Sequence, residues 1–103
     1  MNKVYCSSDV EIILYGKPKR EIETPALRVC LDSPHADLND DVFSVDSVIV
    51  ETDRVVVTGT LFVSFVYDSG ASLNKIISQL QIELEAVSNA DISVTNWRVD
   101  DAK

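Results

Sequence analysis

Between Val48 and Tyr67 the chain reads VIVETDRVVVTGTLFVSFVY: two β-branched, aromatic-rich runs split by the polar stretch Glu51-Thr52-Asp53-Arg54. Such residues fit a pleated, half-buried surface, so the pattern predicts two long antiparallel strands with a tight connection. In the second run the odd positions are Val55, Val57, Gly59, Leu61, Val63, Phe65 and Tyr67. They are more apolar than Val56, Thr58, Thr60, Phe62, Ser64 and Val66, and are expected to face the core. From Val55 to Tyr67 a straight strand would span roughly 43 Å, more than twice the usual length. Gly59 interrupts the apolar face. It is read as a bend that shortens the strand, with close approach of another backbone as the alternative.

Elsewhere the periodicity is shorter. Val10–Tyr15 alternates as a strand, beginning near Lys3. Gly16-Lys17-Pro18-Lys19 reads as a turn. Glu21–Glu23 and Leu27–Leu31 are short strand candidates, separated by Thr24-Pro25. Asp32–Asp41, DSPHADLNDD, reads as loop, because Ser, Asn, Asp and Pro compete with regular structure. Asp68-Ser69-Gly70 is a turn, Ile92–Val99 a final strand, and Asp100–Lys103 a solvated tail. The segment between the last two turns carries two periods. Leu73, Ile76, Ile77, Leu80, Leu84 and Val87 recur at helical spacing, with Ser72 as N-cap and Asn89 as C-terminal stop. Leu80, Ile82, Leu84 and Ala86 also alternate as a strand would. The helix explains more positions, although it leaves Ile82 half a turn from the apolar face. The predicted class is therefore α+β: a mostly antiparallel sheet of four to six strands, with one helix over 72–88 packed on one face. An all-β fold with strand over 76–87 is the alternative.

Length and composition make this one domain, 1–103, able to bury a core without a metal or disulfide. With 46% hydrophobic residues and only three Gly and three Pro, little of the chain is expected to be disordered. Cys6 and Cys30 lie 24 positions apart with no C-x-x-C spacing, and read as two buried free thiols in strands, a bridge between them being the alternative. No apolar run is long enough for a membrane helix, and Ser7, Ser8, Asp9 and Glu11 interrupt any signal-peptide centre. The expected compartment is the cytoplasm.

Motifs for chemistry are scarce. His35 is the only histidine, and Ser33, His35 and Asp37 stand at alternate positions of a polar stretch, which rarely builds a catalytic triad. Asp37, Asn39 and Asp41 open a D-x-N-x-D pattern. The calcium-loop reading then fails: Val42 stands where the turn glycine is required, and Val48 where the bidentate Glu is required. One His and two distant Cys do not make a zinc set. No glycine-rich phosphate cradle occurs. No cofactor is expected, and an enzyme is the least supported class.

Charge is more suggestive. The net charge is −8, from 17 acids and nine bases. This field disfavours direct binding to nucleic acid or anionic lipid, and favours a basic partner. Lys17-Pro18-Lys19-Arg20 is the one basic cluster, and reads as a solvated turn. Between Arg28 and Arg54 there is no Lys or Arg, yet seven acids occur there. Asp37, Asp40, Asp41 and Asp46 are the expected rim of a docking surface, and Ile82 and Trp97 further candidates for partner contact. The expected function is a small, acidic, non-enzymatic binding domain, acting as an inhibitor, immunity-type factor or adaptor. The second reading is a structural subunit of a homo- or hetero-oligomer.

Overall fold

The computed structural model describes residues 2–16, 26–85 and 89–102. The elements are β1 (Asn2–Tyr15), β2 (Leu27–Leu31), β3 (Ala36–Val50), β4 (Arg54–Tyr67), α1 (Leu73–Ser78), β5 (Leu80–Leu84) and β6 (Ala90–Ala102). β1, β3, β4 and β6 form one antiparallel sheet in the order β3-β4-β1-β6, and β2 and β5 form a separate antiparallel pair. The Glu21–Glu23 candidate and most of the Gly16–Lys19 turn lie outside the described residues.

Alternation organises the large sheet. Val4, Cys6, Val10 and Ile12 of β1 stand beside Phe65, Val63, Gly59 and Val57 of β4. All are buried, and Phe65, Ile12 and Val4 are wholly so. Each large side chain buried there contributes roughly 1.5–3 kcal/mol relative to exposure. The paired strands β2 and β5, together with α1, cover this inner face. Leu27, Val29 and Leu31 stand opposite Leu84, Ile82 and Leu80. These side chains pack with Ile76, Leu73 and Ile77 against the core.

The structure shortens the expected helix. Only Leu73–Ser78 is helical; Gln79 ends it, and Leu80–Leu84 is strand. Local propensity favoured helix over 72–88, but β2 offers β5 a complete ladder, and strand geometry puts Leu80, Ile82 and Leu84 in one row. Ser72 occupies the N-cap position without a side-chain cap bond, and Val87 lies outside the described residues. The protein is thus mostly antiparallel sheet with one short helix, closer to the all-β alternative than to the α+β class.

Other boundaries move outward. β3 begins at Ala36, so regular structure takes over the second half of the expected Asp32–Asp41 loop. Bulges between Leu38 and Asp40 and between Val45 and Ser47 absorb Asn39 and Asp46. β6 runs on through Asp100 and Asp101, which are strand and not a solvated tail. Glu51 and Arg54 close the β3–β4 turn, through a 2.8 Å backbone bond and a 3.0 Å ion pair.

β4 does not shorten at Gly59. It pairs with β1 through that residue without a register shift. The reason for glycine is close approach: a Cβ there would collide with the Ser44 carbonyl oxygen and come within 2.8 Å of the Phe43 ring. The Phe43 side chain lies over the gap that glycine leaves. Gly59→Ala is therefore expected to destabilise the fold by about 1–3 kcal/mol through overpacking against backbone. Gly70→Ala, where nothing lies within 4 Å, is expected to be nearly neutral. Urea unfolding of the two variants checks both.

Candidate functional site: the open face of the sheet

The inner face of the four-stranded sheet is the core, which makes the opposite face the place where polar side chains accumulate. Register assigns to it Tyr5, Asp9 and Glu11 of β1, Phe62, Thr60 and Thr58 of β4, Asp40, Val42 and Ser44 of β3, and Thr95 and Ser93 of β6. No described element crosses this face, and Val42, Ile49 and Phe62 are about half exposed on it.

Its charge is one-sided. Asp9, Glu11, Asp37, Asp40 and Asp91 lie in its rows. Asp46 accepts a hydrogen bond from Thr60, and Asp100 one from the Ser7 hydroxyl. Lys3, Arg54 and Arg98 are the cations in the same rows, and Arg54 is paired with Glu51. Arg98 is already engaged, donating to Asp9 at 3.1 Å. Asn96 donates to the same carboxylate at 2.9 Å. Both bonds favour the ionised form, and the Asn96 and Arg98 hydrogen bonds hold the Asp9 carboxyl below its ordinary range. Asn96 has a positive φ of 56°, close to where β6 slips register against Ser7 and Asp9, so the Asp9–Asn96–Arg98 cluster fastens a bulge in an edge strand.

Two depressions mark the face. One, of about 330 Å³, is lined by Asp9, Glu11, Asp46, Thr58, Ser93 and Thr95. The other, of about 130 Å³, brings Asp40, Asp41 and Asp100 around Tyr5, Val42, Phe62 and Ser64. Among the described residues, no group of three or more His, Cys, Asp or Glu is arranged to hold a metal ion.

The structure puts the four aspartates expected at a docking rim on one strand. Asp37, Asp40 and Asp46 belong to the open face; Asp41, expected beside them, stands instead in the opposite row next to Val63, because successive strand residues alternate, and only borders the smaller depression. Ile82 and Trp97 stand elsewhere. Ile82 is half-buried on β5 beside Val29, and Trp97 is half-buried on β6, both packed against the core cluster. Phe62 and Tyr5 are missed by sequence reasoning. Their signal was a large aromatic in the polar row of an alternating strand. His35 lies in the exposed turn before β3; its ring faces Asp68 at 3.6 Å, and Ser33 Oγ accepts the backbone N–H of His35. The three residues of the triad pattern are thus not assembled into a relay.

Comparison of the chain with protein-family models, with curated proteins and with solved structures returns no match. Among the described residues, no helix is long and apolar enough to cross a membrane.

The two cysteines differ sharply. Both are free; Cys30 is exposed, contrary to its expected burial, because it lies in the outward row of β2. Cys6 is buried and donates to the Val63 carbonyl at 3.5 Å. Burial, aided by the charge of Asp100, pushes its thiol from 9.0 up to about 11. A thiol alkylating reagent is expected to label Cys30 rapidly and Cys6 only after unfolding, as intact mass would show. Unfolded chains release this proton near 9 while the folded protein keeps it to about 11. The contribution is therefore intact below about 9 and is lost as pH rises toward 11. The stability difference between the wild type and Cys6→Ala, measured by urea unfolding across this window, is expected to narrow as pH rises.

Proposed function

We propose that the protein is a non-enzymatic binding domain that docks on a basic protein through the open face of its sheet, as an inhibitor, immunity-type factor or adaptor would. One observation carries this reading: a sheet covered by β2, β5 and α1 on one side, and on the other presenting carboxylates interleaved with exposed Val42, Ile49 and Phe62. Four strands about 4.8 Å apart and ten residues long present roughly 600 Å², close to the roughly 800 Å² that each partner contributes to a standard interface. The carboxylates steer a cationic partner and set the association rate, and the exposed apolar side chains provide area that is desolvated on contact. The same field opposes nucleic-acid phosphate.

The test begins with capture from a native-host extract at low salt, and identification of a basic protein that elutes at moderate salt. Joint replacement of Asp37, Asp40, Asp41 and Asp46 by Asn is then expected to slow its association by roughly tenfold or more and to flatten the salt dependence. Stability should change little, because all four are exposed. Glu83→Gln with Glu85→Gln is the control, since these exposed acids lie on and just beyond β5, in the covering layer. Equal effects from both variants would reduce the mechanism to bulk charge, and no effect from either would reject it.

A second reading, a subunit of a homo-oligomer, draws support from a different feature. β3 is an edge strand; among the described residues it pairs only with β4, and its last residues Val48, Ile49 and Val50 are all about half exposed. Both edges carry bulges, but β6 is also lined by Arg98, Asp100 and Asp101, whereas the last residues of β3, Val48 to Val50, carry no charge and no Pro. Antiparallel pairing of two tips leaves the two Asp46 residues at least about 13 Å apart along the ribbon, beyond a Debye length. Val48→Lys and Val48→Asp are each expected to remain monomeric, and their equimolar mixture to dimerise, in sedimentation equilibrium. A wild-type chain monomeric up to about 1 mM would end this reading.

A further inference from the structure

We propose that the arm Asn96–Ala102 of β6 is a detachable strap, which lifts off β1 as a unit while the rest of the large sheet stays formed, and that Ser8 sets how readily it opens. Ser8 is wholly buried, and its hydroxyl has no hydrogen-bond partner, alone among the buried side-chain polar atoms of the described residues. A hydroxyl so placed is normally satisfied, and leaving it dry and unpaired costs free energy that contact with water would return. It lies where β1 and β6 part. Arg98 stands opposite Ser7 and Thr95 opposite Asp9, so Ser8 has no partner on β6, and Asn96 and Trp97 bulge past it. Closure of the arm therefore carries a penalty at Ser8 that opening relieves.

On the two sides of this point β6 is held differently. From Ala90 to Thr95 its register against β1 is unbroken. Ile92 and Val94 are half-buried there, opposite the buried Ile12 and Val10, and the Tyr15 hydroxyl donates to Asp91 at 2.7 Å. Beyond Asn96 the ladder slips again between Tyr5 and Cys6, where Asp100 is left without an opposite residue. Val99 is 46% exposed, and Arg98, Asp100 and Asp101 face solvent. Among the described side chains of the arm, Trp97 alone is half-buried, packed against the core cluster. Side-chain bonds tie the arm down: Asn96 and Arg98 donate to Asp9 at 2.9 and 3.1 Å, and Ser7 donates to Asp100 at 3.2 Å. The two bonds to Asp9 are exposed, so water competes with them and they hold weakly. Asn96, at a φ of 56° that asparagine tolerates and most residues avoid, is the hinge. A segment with so little buried apolar surface opens locally at less than the global free energy. Its release bares the backbone of β1 from Val4 to Ser8, an edge that an extended segment can join.

Native-state amide hydrogen exchange, followed by NMR in low concentrations of urea, tests the strap. The β6 amides that pair with β1 beyond Asn96 are expected to share one opening, about tenfold or more populated than the opening that exposes the paired amides of β1 and β4. Urea should hardly promote the arm's opening, which exposes little surface, and should promote the other steeply. Paired amides between Ala90 and Thr95 are expected to exchange with the slow group. Ser8→Ala removes the unpaired hydroxyl and is expected to slow exchange in the arm by roughly five- to tenfold, with circular dichroism reporting the fold. Asp9→Ala, which frees Asn96 and Arg98, is expected to speed it several-fold. Arm amides that exchange with the slow group would overturn the proposal. So would protection that declines smoothly from Ile92 to Asp101, which is simple fraying. Exchange in the arm that Ser8→Ala leaves unchanged would overturn it as well, because the hydroxyl would then stay buried when the arm opens.

Discussion

The fold depends on the pairing of β1 with β4, the two central strands of the large sheet. Their ladder runs from Asn2 opposite Tyr67 to Tyr15 opposite Arg54 without a register shift. Because side chains alternate, that single register sends Val4, Cys6, Val10, Ile12, Val57, Leu61, Val63 and Phe65 to one side. A slip of one residue would exchange this row for Ser7, Asp9, Glu11, Thr58 and Thr60. The covering layer of β2, β5 and α1 then has one face to pack against, and the opposite face is free to be polar. One-sided burial is thus both the source of stability and the reason an acidic surface exists.

How much of this was legible in the residues varies by segment. The inward row of β4 was readable because its alternation is long and consistent. The Glu51–Arg54 turn was readable from its polar break between apolar runs. The segment after Gly70 was not, because six of its apolar residues satisfy a helical period while Leu80, Ile82 and Leu84 satisfy a strand period. Tertiary pairing with β2 decided the matter, and no local rule contains that information. Ile82 was the visible misfit, and its place opposite Val29 shows why. Gly59 was legible as special, but the cause lay in Phe43 and Ser44 on another strand. Asp37, Asp40 and Asp41 looked like loop because aspartate disfavours strands; β3 tolerates them because it is an edge with solvent beside it.

The aspartates were legible as a charge cluster without being legible as a face. Sequence separates Asp9 from Asp46 and Asp100, yet register brings their strands into one sheet. This convergence changes the meaning of Asp100 and Asp101, which looked like a dispensable tail and belong to a paired strand. It also sets Phe62, about half exposed, in the outward row among Thr58 and Thr60. The alternation already put Phe62 in the outward row with Thr58 and Thr60; what the local sequence could not give is which strands flank it on that face.

The large sheet has one buried face and one accessible, negatively charged face. Paramagnetic relaxation of the side-chain methyl groups tests it directly, using a cationic and an anionic nitroxide of similar size in solution. Methyls of Ile13, Ile49, Val56 and Val66, in the outward rows, are expected to relax strongly, and more with the cationic probe than with the anionic one. Methyls of Ile12, Val57 and Leu61 are expected to be protected from both. Equal relaxation on the two faces, or no preference for the cationic probe on the outward one, would contradict the account.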